Sequence, residues 1–162
     1  MYTILGVDPG SATTGYGIIK EEEDNIEYIA SGVIAMGRNI CRYERIKVIF
    51  LDLSRIVESF SPTHFAIEDV FYSKNPKSAL VLGEARGAAI LAASIANVPI
   101  HEYSPREVKQ AVTGSGAAHK SQVSFMLKKL LGLSEPPANT DESDALAVAI
   151  CHAFRRREWE GK

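Results

Sequence analysis

Cysteine is scarce in this chain: two residues, Cys41 and Cys151, stand far apart among 162. That excludes a disulfide framework and a cysteine-built zinc site, and makes a reducing cytoplasm the default expectation. Cys151 falls on an apolar helical face and reads as core. Uninterrupted apolar stretches are also short, and none approaches the ~18 residues of a membrane-spanning helix. The N-terminal MYTILGVDPG has no basic leader and meets an acid at once, which argues against a signal peptide. Nor does one sign of charge dominate. The formal net charge is −2, without the overall basicity that marks many nucleic-acid binders. Repeats and low-complexity segments are missing too. What is left is an ordinary globular composition, 46% hydrophobic and 23% charged, in a length suited to one domain with a full core.

The charge is unevenly spread. Residues 1–72 hold 6 Lys/Arg against 11 Asp/Glu, residues 73–130 hold 8 against 3, and residues 131–162 hold 4 against 6. A basic middle segment between acidic flanks suits a polyanion whose chemistry takes place at bound cations.

Residues 3–8 form a short apolar run closed by Pro9-Gly10, which predicts a buried strand ending in a sharp turn. Two more strands are expected at residues 15–19 and 27–35, joined by the acidic EEEDN as a solvated hairpin turn. Apolar residues recurring at threes and fours from about 43 to 60 predict an amphipathic helix, stopped by Ser61-Pro62. Residues 63–68 and 98–103 read as a fourth and a fifth strand. The helix between them, about 77–96, is rich in Ala and Gly, so it is either central or part of a subunit contact. Ser104-Pro105 starts a helix through residue 112, and Gly114 to Ala118 make a flexible break before a basic helix over 120–131. Thr140 or Asp141 is expected to cap the last helix, which runs into Arg155–Arg157 and so complements its own dipole. The predicted fold is α/β: a five-stranded mixed sheet with three antiparallel N-terminal strands, flanked by helices, in one domain over 1–162. This order resembles the ribonuclease H-like architecture.

Four acids stand out against the apolar background. Asp8 closes the first strand and Glu68 the fourth, while Asp141 and Asp144, at i and i+3, share one face at the start of the last helix. An apolar run is a costly place for a carboxylate unless a cation or donors compensate it. Taken singly, Asp8 would serve as a turn former and Asp141 as a helix cap; Glu68 has no such structural role. Together they predict a site that gathers carboxylates around hard divalent cations, Mg²⁺ first, with Mn²⁺ able to substitute. Two such ions per site would clamp a phosphodiester, activating the attacking water and stabilising the leaving 3′-oxygen.

The strings GVDPGSATTGYG, FAIEDVFYSKNPKSALVLGEARG, EYSPREVKQAVTGSGAAHKSQV and TDESDALAVAICH resemble the RuvC family of Holliday junction resolvases, in order and with spacing intact from about residue 3 to 152. The resemblance implies a homodimeric crossover junction endodeoxyribonuclease with a ribonuclease H-like fold. Such an enzyme binds four-way junction DNA and resolves it by symmetric paired nicks in homologous recombination and DNA repair. It also implies the branch-migration proteins RuvA and RuvB as partners, and no membrane. The family's metal-binding catalytic acids fall on Asp8, Glu68, Asp141 and Asp144. Some members carry His at the position of Asp141; the Asp here keeps the ligand role and argues against an imidazole proton shuttle.

Around the acids, Phe71 aligns with an aromatic that the family uses at the junction's opened base pairs. There it would stack on an unpaired base, with loop packing as the other reading. Lys109 and Lys120 align with lysines beside the scissile region, and Lys74 and Arg106 are further phosphate contacts. Arg86 would serve either DNA or the dimer. The four histidines, His64, His101, His119 and His152, read as scattered, with His152 a supporting or surface residue beyond the acids. Two rivals share parts of the pattern. A nuclease for RNA–DNA hybrids would keep all four acids. An ATP-binding protein of the actin and sugar-kinase type has a similar glycine-bearing loop after its first strand, but it needs two large lobes that 162 residues cannot supply.

Overall fold

Alternating apolar residues in the first part of the chain produce three strands, β1 (Tyr2–Pro9), β2 (Thr13–Glu22) and β3 (Asn25–Ala35), paired antiparallel in sequence order. Helix α1 (Arg42–Phe60) then carries the chain back, so that β4 (His64–Glu68) lies parallel to β1 on its free side. Helix α2 (Pro76–Ile95) repeats the crossover and adds β5 (Ile100–Tyr103) parallel to β4. Three helices follow: α3 (Pro105–Thr113), α4 (Lys120–Leu130) and α5 (Thr140–Trp159). The sheet order is β3-β2-β1-β4-β5, the mixed five-stranded arrangement that the sequence predicts. This computed structural model describes residues 1–23, 25–37, 40–69, 75–159 and 161.

Alternation along the strands divides the core between two faces. Leu5, Val7, Ile18, Phe65 and Ile67 point to one face, where α1 and α2 cover them. Ile4, Ile19 and Ala66 point to the other, beneath α5 with α3 and α4 beside it. Leu5, Ile18, Phe65 and Ile67 are fully buried, each contributing about 1.5–3 kcal/mol of apolar burial.

Helix α5 lies unusually close to its face of the sheet because glycines pave its path. A Cβ on Gly15 would overlap the carbonyl oxygen of Asp141, and one on Gly6 would overlap that of Ala145. At Gly17 it would stand 2.7 Å from the Leu146 side chain. Gly6 and Gly17 are partners in the β1–β2 register, and Gly15 partners Asp8, so the track crosses both strands.

Four local expectations change. Strand β1 continues through Pro9, paired with Thr14, rather than ending in a turn at Asp8. Glu21, expected in a solvated hairpin, is fully buried, and Arg156 and Arg157 both bind it at 3.0 and 2.6 Å. These arginines are therefore structural anchors rather than mere dipole complements. Neither Thr140 nor Asp141 caps α5: the Asn139 side chain accepts from the Asp141 N–H at 2.8 Å. Finally, α2 is long and apolar enough to cross a membrane by length and composition, which the short apolar runs did not suggest. Its alanines Ala85, Ala88, Ala89, Ala92 and Ala93 are buried against the sheet and α1, while Leu80, Leu91 and Ile95 on its other side are exposed.

Candidate active site

Register places the first two acids side by side. Val7 pairs with Ile67 across the parallel β1–β4 ladder, so the next residues, Asp8 and Glu68, share the opposite face at the ends of adjacent strands. That is the face along which α5 runs. Asp8 stands opposite Gly15, and the missing side chain of Gly15 is where the backbone of Asp141 sits. The first turn of α5 is thereby laid directly over the pair, and i, i+3 spacing turns Asp141 and Asp144 toward it.

The electrostatics record the convergence. Asp8 is pushed up from 3.8 to about 6, by burial first and then by the negative charges of Asp144 and Asp141. Glu68 is pushed up from 4.5 to about 7, again by burial first and then by Asp8 and Asp144. Lys120 pulls both back down, and Lys109 helps at Glu68. Two like unit charges ~5 Å apart cost about 3 kcal/mol at an effective dielectric near 20. The bare site therefore keeps its protons to higher pH than free carboxyls do, and a divalent cation would displace them. All-oxygen carboxylate ligation from three elements fits a hard cation such as Mg²⁺ or Mn²⁺.

Hydrogen bonds fix the acidic turn in place. The Thr13 hydroxyl donates to Asp141 Oδ2, and the Ser31 hydroxyl donates to Glu142 Oε1, so β2 and β3 each hold the first turn of α5. Asn139 caps the same turn, and the helix N-terminus favours the carboxylates near it. Lys120, on the first turn of α4, brings Nζ to 2.5 Å from Asp144 Oδ2. That hydrogen bond raises the lysine pKa, so the group stays an ammonium. Lys120, Asn139, Thr140 and Asp144 line a groove of about 180 Å³ beside the acids.

A profile of the family described as crossover junction endodeoxyribonuclease RuvC matches residues 4–152. The chain belongs to the RuvC family. A RuvC of Marinobacter nauticus is 52% identical over 153 residues, covering 94% of this chain and 86% of its own. One from Teredinibacter turnerae is 54% identical over 157 residues, covering 94% and 88%. Among solved structures, a T. thermophilus RuvC in complex with a Holliday junction substrate superposes with a TM-score of 0.93. It is 32% identical, and the match covers 98% of this chain and 97% of that one. RuvC proteins are nucleases with the ribonuclease H-like fold, and metal dependence is general in the family.

The cationic residues that the sequence picks out are placed unequally. Lys120 touches the acids and Lys109, on α3, lies within electrostatic reach of Glu68. Arg106 is exposed on α3, its aliphatic stem covering Gly116, with no contact to the acids. Arg86 binds Glu102 at 2.5 Å and Asp69 at 3.6 Å, which ties α2 to the end of the sheet. Phe71 and Lys74 lie outside the described residues. Sequence reasoning missed Thr13 and Asn139, whose signals were a hydroxyl in GSATTG and an Asn just before the acidic helical turn.

Proposed function

We propose that this chain is a divalent-metal-dependent endonuclease that resolves Holliday junctions by symmetric paired nicks in recombination and DNA repair. It acts in the cytoplasm as a homodimer, with residues 1–162 as one nuclease domain. The convergence of Asp8, Glu68, Asp141 and Asp144 carries the reading, and the relatives' naming as crossover junction endodeoxyribonucleases supports its substrate. When bound, Mg²⁺ (or Mn²⁺), two ions per site, supplies the charge that activates water and stabilises the departing 3′-oxygen. Asp8 and Glu68 present full negative charge only once their protons leave, which couples ligand strength to occupancy. Thr13 and Asn139 hold Asp141 in register with them. Lys120 Nζ places a mobile positive charge beside Asp144, where a backbone phosphate would lie. Lys109 and Arg106 extend that charge along α3, with Lys74 and Phe71 completing the DNA contacts.

Two nicks require two sites. The outward side of α2 supports pairing with a second copy: Leu80, Leu91 and Ile95 are exposed, and a Cβ at Gly83 or Gly87 would meet open space. RuvA and RuvB are the expected partners on family membership. The test is cleavage of a four-way junction, a linear duplex and an RNA–DNA hybrid in Mg²⁺. Paired nicks in the junction alone are expected, and cleavage of the hybrid in its place would reassign the substrate. Asp144→Asn should abolish nicking while junction binding persists. Full nicking by that variant would remove Asp144 from the site.

A further inference from the structure

Three of the four histidines that look scattered in sequence converge at the far end of the sheet face that carries the acids. His64 opens β4, whose last residue is Glu68; His101 is the second residue of β5 and pairs with Ala66; His152 lies on α5, eight residues beyond Asp144. Strand and helix rises both put this cluster roughly 12–13 Å from the carboxylates. One ring nitrogen from each histidine lies within 4.8 Å of the other two. The rings are packed together, with centroids 4.3 Å apart for His101 and His152 and 4.9 Å for His64 and His152.

Two of the ring nitrogens are buried without a hydrogen-bond partner. His152 is fully buried, and its Nε2 has no hydrogen-bond partner; His101 Nε2 is likewise buried and unpartnered. The Tyr103 hydroxyl lies 2.7 Å from His152 Nδ1. When that contact holds the proton on Nδ1, the Nε2 lone pair turns into the cluster, which is how an outer hydrogen bond prepares a metal-bound imidazole. Burial and the neighbouring histidines push His152 down to about 3, so it is neutral at ordinary pH. The nearby cation, Arg156, lies over the Tyr2 ring and is bound to the buried Glu21, which neutralises it.

We propose that His64, His101 and His152 form a binding site for one transition-metal cation of the zinc class, separate from the nuclease centre. Three imidazoles suit Zn²⁺, Co²⁺, Ni²⁺ or Cu²⁺ and not Mg²⁺, so the two centres sort their ions by ligand chemistry. Nitrogens around a tetrahedral Zn²⁺ sit roughly 3.3 Å apart at ~2.05 Å bonds. Small rotations of the partly exposed His64 and His101 rings close the difference. The ion would tie β4, β5 and the C-terminal half of α5 into one unit, and water would complete its coordination.

The only tryptophan reports on the site, because the Trp159 ring centroid is 5.7 Å from His101 and 6.2 Å from His152. Full-length protein is titrated with Co²⁺ in excess Mg²⁺, which keeps the carboxylates occupied. About one Co²⁺ per chain should quench Trp159 emission, give visible bands of low-coordinate cobalt, and be displaced by Zn²⁺. His64→Phe and His101→Phe should each weaken binding at least ~100-fold, beyond the usual loss of an outer-shell partner. Both should leave Mg²⁺-dependent junction nicking unchanged, with circular dichroism verifying the fold. Tyr103→Phe should weaken binding ~10-fold. Absence of Co²⁺ binding by the unmodified protein would overturn the proposal, as would binding that survives both histidine variants.

Discussion

Replacing Asp8 by Asn should make the metal-free protein more stable while destroying its activity. In an unfolded chain this carboxyl loses its proton near 3.8, whereas in the fold it keeps it to about 6. The folded state therefore binds more protons across that window. Stability falls as pH rises from about 4 to 6 and stays lowered above it. The span corresponds to about 3 kcal/mol at 1.36 kcal/mol per pH unit. Asparagine cannot ionise, so it escapes this penalty, although its amide must still be accommodated in a largely buried position. The expected gain near pH 8 without metal is about 1–3 kcal/mol, or ~3–9 °C in Tm for a chain of this length. Near pH 4 the gain should vanish, because the native carboxyl is then protonated in the fold. Added Mg²⁺ should stabilise the unmodified protein by mass action and the variant much less. Thermal melts in chelator and in Mg²⁺, at both pH values, measure all four quantities. A variant that is less stable than its parent near pH 8 in chelator would refute the account of Asp8, and so would an equal gain at both pH values.

Three other perturbations probe the scaffold and the cationic rim. Gly15→Ala drives a methyl into the Asp141 carbonyl and should lift the first turn of α5, costing about 1–3 kcal/mol in denaturant melts and most of the nicking rate. Glu21→Ala strands two guanidinium groups at a buried site and should cost about 3–5 kcal/mol, with Glu21→Gln recovering part of it. Lys120→Ala removes the cation at Asp144 and should slow nicking. It should also flatten the salt dependence of junction binding by about one phosphate, a slope change of ~0.9; an unchanged slope would argue against a phosphate contact.

The mixed five-stranded sheet and the faces taken by the four acids were legible in the sequence for one physical reason. Strand alternation fixes which face Glu68 takes, and helical spacing fixes Asp141 beside Asp144, so both are local consequences of period. What escaped is what tertiary packing decides. Glu21 sits in an acidic run that reads as solvated, and only the return of α5 some 135 residues later brings the arginines that bury it. The histidines look unrelated because their contacts cross β4, β5 and α5. Asn139 was passed over because two other capping residues follow it, and the hydrogen bond alone distinguishes them. Gly6, Gly15 and Gly17 read as ordinary strand glycines until the helix above them is seen.

Helix α5 is fastened at both extremities, by Thr13, Ser31 and Asn139 at its start and by the Glu21 clamp near its finish. A beam held that way has no hinge through which two of the four acids could swing aside on their own. Heat inactivation of nicking should therefore track loss of the whole fold, with no temperature at which a still-folded molecule has merely misplaced its acids.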